Sequence, residues 1–416
     1  MRLRSRTTLA LACAGATLLS LSACGSGLNG GKASDDGKKT GVTIKVLIAS
    51  SGDAETNALT AAGKAWGKKT GNKVVVTPAK DITQELTQAL AGGTPPDLFY
   101  VDAAKFQGLS KSLADVGEKV TDSSDVYPSL QKTFTKDGKY YCVPKDFSTL
   151  ALEINTTLWS KAGLTDADIP TTWAQLETVA KKLTTSKVTG LVMGDTLDRV
   201  GAFMHQAGGS VTSADGSKIT ADSAANLTAL KYVQKLSKEG VLKFPAQVSA
   251  GWGGEAFGKG SAAMTIEGNW IVGALKNDFP NVKYKVVPLP AGPKGNATLS
   301  FTQCWGVAAQ GTHQTATVDF VDYLTSVDQQ VAFSKAFGVM PSRQAAKSQF
   351  VSLYPDQQAF VTGADNAFGP VGFTGFDAVQ KDFDSKIAGL SDGSSDPKSM
   401  LSSLQKNATA ALQSAG

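Results

Sequence analysis

The sequence predicts an exported two-lobed α/β protein, each lobe a mostly parallel sheet flanked by helices, with a ligand crevice at the strands' C-terminal ends. Three observations predict it. Strand-like and helix-like segments alternate through the first hundred residues, the mature length exceeds what one core accommodates, and the N-terminus reads as an export signal. The 416-residue chain opens with Arg2, Arg4 and Arg6, followed by the apolar run TLALACAGATLLSLSA that stops at Cys24. A basic start, an apolar core and small residues before a cut describe a secretory signal. Removing residues 1–23 leaves 393 residues, too long for one ordinary core and suited to two lobes.

VTIKVLIA over residues 42–49 is apolar and β-branched, a buried first strand. From Asp53 to Lys69, Leu59, Ala62 and Trp66 recur at helical spacing, and Gly71 supplies the stop. Lys73–Thr77 reads as a second strand, Asp81–Leu90 as a second helix, and DLFYVD, ending at Asp102, as a third strand. This β-α-β-α-β order implies a parallel sheet with covering helices. Right-handed crossovers then gather the loops at the strands' C-terminal ends around a crevice, where ligands bind. A second α/β region spans about 150–300, with helices at Trp173–Leu183 and Ala224–Glu239 and a strand at Ser261–Glu267. Beyond a strand at Trp305–Ala309 the pattern is helical: Gln314–Ser326, Asp328–Phe337, Pro355–Ala364, Phe376–Ala388 and Ser399–Gln413.

Composition narrows the function. The formal charge of +5 falls to +2 without the signal, and no basic block of five remains, which argues against nucleic acid. No later apolar run reaches the roughly 18–20 residues that span a bilayer. Of four cysteines, Cys13 lies in the signal and Cys24 ends it, which leaves Cys142 and Cys304. In an oxidising exterior two such cysteines pair, or else stay as separate buried thiols. With only His205 and His313 as imidazole bases and no metal-ligand spacing, a catalytic reading starts with few parts, and no cofactor is expected.

Leu21-Ser22-Ala23-Cys24 resembles the bacterial lipobox, which implies diacylation of Cys24 and a flexible tether over residues 24–41. The body resembles the extracellular solute-binding proteins of bacterial ABC importers, the group that includes maltose-binding protein. The resemblance rests on KKTGNKVVV, GGTPPDLFYVD, YYCVPKDFSTLALEINTTLWSKAGL with IPTTWAQLETVAKKL, FGKGSAAMTIEGNW, VVPLPAGPKG, FTQCWGVAA and GVMPSR, in that order. It implies a periplasmic-binding-protein-like fold with lobe 1 at 42–146 plus about 305–345 and lobe 2 at 147–304 plus about 346–416. Strands would cross between them near Lys145–Leu150 and Gln303–Val307. Cys142 and Cys304 each sit beside a crossing, which favours their pairing if the Cα atoms lie about 4.4–6.8 Å apart. The resemblance further implies a monomer that docks on membrane permease subunits.

A sugar presents hydroxyls around apolar C–H faces, so its site needs aromatic planes together with carboxylates, amides and guanidinium groups. Trp270, after TIEGN, matches a family position that stacks on sugar. Asn269 flanks it, as does Glu267, which could equally face solvent. Asp53 matches a hydroxyl-binding carboxylate, or caps the helix it opens. Asp102 ends the third strand at the crevice. Asp146 and Phe147 lie on the first crossing, with Phe147 equally readable as core. Asp198 and Arg199 fall in a contact loop of the second lobe, or form a surface ion pair. Trp252 and Glu255 could cap one end of the cleft, and Trp305 and Phe373 are further aromatic candidates. Trp66, Trp159 and Trp173 read as packing residues. Val101 stands where maltose binders carry a tryptophan, and no aromatic occupies their position near Asp198, so the maltodextrin site does not carry over.

Three functions are weighed. The first is a lipid-anchored sugar-binding component of an importer. The second is the same fold for another solute, such as a polyamine or a glycerol phosphate ester. The third is an exported glycosidase, which needs two carboxylates about 5–9.5 Å apart; no pairing in the sequence singles out such a couple.

Overall fold

The computed structural model describes residues 35–50 and 52–415; the signal segment and Cys24 lie outside them. Strands β1 (Thr43–Ile48), β2 (Lys73–Pro78) and β3 (Leu98–Asp102) alternate with helices α1 (Asp53–Thr70) and α2 (Ile82–Ala91), as the apolar periodicity predicts. β1 pairs in parallel with both β2 and β3. α1 ends where Gly71 takes the left-handed conformation at φ 74°, which closes the last turn without a Cβ penalty. Its N-cap is Gly52 and not Asp53, which occupies the first helical position. Asp81 does cap α2, accepting from the Gln84 N–H at 3.0 Å.

A short hairpin, β4 (Thr135–Lys136) and β5 (Lys139–Tyr140), leads to β6 (Pro144–Thr149), which continues through Leu150 into β7 (Ala151–Asn155). Then come β8 (Thr189–Val192), β9 (Leu242–Lys243), β10 (Ala262–Glu267) and β11 (Tyr284–Val287), followed by the long β12 (Thr298–Val307) and short β13 (Ala367–Phe368). The first sheet has the order β13-β12-β3-β1-β2, with β6 also on β12; the second has the order β11-β7-β10-β8-β9. The junction at Leu150 thus carries the chain from one sheet to the other, and β12 follows β11 back.

β12 begins seven residues earlier than the expected strand at Trp305. Its first half alternates Thr298, Ser300 and Thr302 with Leu299, Phe301 and Gln303, the pattern of a half-buried strand that the expected start at Trp305 leaves out. The hydroxyls are nonetheless buried, and Thr298 and Thr302 donate to the Leu150 and Asp146 carbonyls at 2.8 and 2.6 Å. The helix expected over Pro355–Ala364 is broken into a 3-10 turn at Pro355–Gln357, a helix at Gln358–Gly363 and a second 3-10 turn at Ala364–Asn366.

Strand burial explains the layering. One apolar cluster fills the first sheet and runs on beneath the helices Gly253–Gly258 and Trp270–Asp278 on one face of the second. The other cluster covers the opposite face, with Leu152, Leu191 and Met264 facing Leu230, Phe383 and Leu401. Cys142 and Cys304 form a disulfide across their buried positions, Cα–Cα 5.7 Å, beside the β6–β12 pairing. Residues 35–41, expected within the tether, are held down: Asp36 N–H donates to the Thr312 carbonyl at 2.8 Å, and Asn72 Nδ2 donates to the Lys39 carbonyl at 2.8 Å. Among the described residues no helix is long and apolar enough to cross a membrane.

Candidate functional site

Trp270 opens a helix directly after β10, and its ring is 38 % exposed, among the few large apolar side chains left open to solvent. The indole lies over Gly268, where a Cβ would fall 2.2 Å from the ring, so that position tolerates no side chain. Three further contacts fix the ring. Nε1–H donates to Glu267 Oε2 at 3.1 Å, the Arg199 guanidinium stacks 5.4 Å from the ring centroid, and Phe301 meets it edge-on at 5.2 Å. Arg199 is itself held, donating from Nε to the Ile266 carbonyl at 3.1 Å and from Nη2 to Glu267 Oε2. The result is a pre-organised aromatic platform whose pieces lose little freedom when a ligand arrives.

Behind the platform sit two buried carboxyls. Glu153 Oε2 accepts the Glu267 backbone N–H at 3.1 Å, while its Oε1 is buried without a partner. Burial raises both groups; Glu153, farther from the Arg199 charge and repelled by Glu267, is pushed well above the usual carboxylate range. Of the two, Glu153 is thus the more strongly driven toward its neutral form, while Glu267 has the Arg199 guanidinium to balance its charge.

Phe301 joins the platform to a cavity of about 440 Å³ lined also by Asp102, Lys105, Asp198, Gln380 and Asp384. Asp102 ends β3, its Oδ1 accepting the Ala104 N–H at 2.8 Å. Asp198, in the first turn of the helix Leu197–Gln206, accepts from Gln380 Nε2 at 3.2 Å. Asp384 accepts the Leu197 N–H at 2.6 Å and is pushed up to about 6 by burial, with Asp198 and Asp195 adding to the rise. Burial likewise raises Asp102 and Asp198. Lys105 and Asp377 pair across the cavity rim. Carboxylates, an amide and a lysine beside aromatic rings can bond hydroxyls while covering C–H faces.

The structure thus brings together Trp270, Asp102, Asp198 and Arg199, with Phe373 lining an adjoining cavity. Other expected residues lie elsewhere. Phe147 is 3 % exposed and packs on the Tyr127 ring at 5.0 Å, as core. Trp305 is 2 % exposed against Tyr100. Asp146 pairs with buried Lys145, whose Nζ also donates to Glu55 at 3.0 Å and covers Tyr100, because a buried ammonium needs its charge balanced. Asn269 is a strut, its backbone N–H donating to Ser148 Oγ at 2.9 Å and Nδ2 to the Gly338 carbonyl at 3.0 Å. Glu255 folds back on Lys259 and the Gly251 N–H, and Trp252 lies over Gly254. Asp53 lines none of the described cavities near the platform. His205 is stacked on Phe368 at 3.9 Å, and burial lowers it to about 4, so it stays neutral.

Sequence reasoning missed Asp377, Gln380 and Asp384. Their signal is the spacing i, i+3, i+7, which sets them on one face of the helix Phe376–Ile387, while Phe376, Val379, Phe383 and Ile387 point to the core. It missed Phe301, which lies in the part of β12 that precedes the expected strand at Trp305.

A two-sheet fold with a rigid aromatic platform beside a polar cavity defines a solute-binding protein. The chain belongs to the family of bacterial extracellular solute-binding proteins, whose model matches residues 61–359; these are binding proteins rather than enzymes. It is 28 % identical over 370 residues to the diacetylchitobiose binding protein DasA of Streptomyces coelicolor, covering 80 % of each chain. It is 27 % identical over 252 residues to an arabinooligosaccharide-binding protein of Bacillus subtilis, covering 56 % of this chain and 57 % of that one. Its fold matches the cyclic alpha-maltosyl-1,6-maltose binding protein from Arthrobacter globiformis with a TM-score of 0.80 at 22 % identity, over 89 % of this chain and 99 % of that one. It also matches the GacH receptor of Streptomyces glaucescens with a TM-score of 0.75 at 23 % identity, over 90 % and 99 %.

Proposed function

We propose that this chain is a lipid-anchored extracellular protein that captures a carbohydrate, an oligosaccharide or glycoside, between two lobes and delivers it to an ABC-type importer. The observation that carries the reading is the Trp270 ring, open to solvent yet fixed by Glu267, Arg199 and Phe301 beside a carboxylate-lined cavity. Sugar names attached to relatives at similar length support it. On this reading the lobes turn about the β6–β7 junction and β12, closing Asp102 and Lys105 toward Asp198 and Asp377. Cys24 carries the acyl chains, the protein acts as a monomer, and the closed form docks on the permease.

The four carboxylates around the cavity, Asp102, Asp198, Asp377 and Asp384 against Lys105 and Lys381, favour one second reading, a polyamine. Titrating the protein's tryptophan fluorescence with mono- and oligosaccharides, spermidine and glycerol phosphate separates the two. A saturable change with a sugar set is the expected result; silence toward every sugar with a response to spermidine overturns the carbohydrate reading.

A further inference from the structure

We propose that a second compartment beneath Phe373 takes an acetamido substituent of the bound sugar, so that the protein selects N-acetylated over plain hexose units. This deepens the carbohydrate reading and rests on it. The compartment encloses about 350 Å³ between α2 and the loop before the helix Phe376–Ile387. Ile82, Leu86, Leu109 and Phe373 make its walls apolar. It shares Asp102, Ala104, Lys105 and Asp377 with the polar cavity, so one ligand can occupy both spaces.

The chemistry of the shared rim matches an amide. Asp102 uses Oδ1 on the Ala104 N–H, and its second oxygen has no hydrogen-bond partner among the described residues. Lys105 spends one N–H on Asp377 and keeps others free. An acetamido group offers an N–H to the carboxylate and a carbonyl oxygen to the ammonium, and it carries its methyl beyond them into the apolar walls. A hydroxyl in the same place would reach the rim but leave the apolar space unfilled. A free amine would find a carboxylate but would have to shed water against Leu86 and Phe373.

Calorimetric titration of the purified protein with N,N'-diacetylchitobiose and with cellobiose, which shares its linkage and rings but carries hydroxyls, tests the proposal. The acetamido ligand should bind at least about tenfold tighter. Phe373→Ala empties the compartment, and Ile82→Trp, at a half-buried position on the opposite wall, fills it. Each should weaken the acetamido ligand by about fivefold or more, and Ile82→Trp, which does not line the polar cavity, should leave cellobiose within about twofold. Equal wild-type affinities, or an Ile82→Trp variant that weakens both ligands alike, overturn the proposal. Binding of neither disaccharide also overturns it, and the fluorescence panel above then decides separately whether the site takes any sugar.

Discussion

Asp384 holds two duties that conflict. Its carboxylate caps the helix Leu197–Gln206 through the Leu197 N–H, yet it lies near Asp198 and Asp195 in a partly buried setting. Its value rises from an ordinary 3.8 to about 6, so between those limits the folded state holds more proton than the unfolded one. Stability from this group is therefore greatest below the lower limit and is lost as pH rises through about 6. Asp384→Asn keeps the acceptor and removes the charge. Melting curves should show variant and wild type alike below pH 3.8, with the variant gaining between there and about pH 6 and the gap level above it; a constant gap across that range would contradict this. Residues of this kind were hard to read, because their meaning lies in what faces them far along the chain, 187 positions away for Asp384 and Leu197. Trp270 stood out in the sequence because it follows a strand end and matches a position that stacks on sugar in the family the chain resembles. Phe147 and Trp305 were not, because the face a crossing strand turns inward depends on partners such as Tyr127 and Tyr100.

At the scale of elements, periodicity located the early strands and helices closely, since apolar spacing and caps act locally: α1 and the helix Trp173–Leu183 begin at the expected residues. β12 was half hidden because what buries the Thr298 and Thr302 hydroxyls is tertiary, the Leu150 and Asp146 carbonyls that accept from them. That strand also carries Cys304, bonded to Cys142 across a sequence separation of 162 residues. Closing so long a loop restricts the unfolded chain, so Cys142→Ser with Cys304→Ser should cost about 2–4 kcal/mol. Denaturant unfolding of that variant against wild type measures it, and an unchanged midpoint would show that the bond does not stabilise the fold. Both sulfurs sit in the first core, beside the β6–β12 pairing from which the lobes would turn. If the lobes turn as proposed, the disulfide would fix the base of that motion and leave the rim, where Lys105 meets Asp377, free to part.

For the whole molecule, the length and strand order announced two sheets, and the order of seven sequence blocks announced the family; the exact lining of the cleft needed the fold. Residues 35–41 lie against the first lobe, so a chain anchored at Cys24 would hold that lobe nearest the membrane through about ten intervening residues. Cys24→Ser should release the protein into the medium, with membrane fractions of wild type as the comparison; retention of the variant would remove the lipid from the account. The central claim is that Trp270 is the ligand platform. Calorimetric titration of wild type and Trp270→Ala with the sugar that the fluorescence panel selects tests it most directly. The account predicts a loss of at least about tenfold in affinity, about 1.4 kcal/mol, with an unchanged melting temperature. Equal affinity in the two proteins would contradict it.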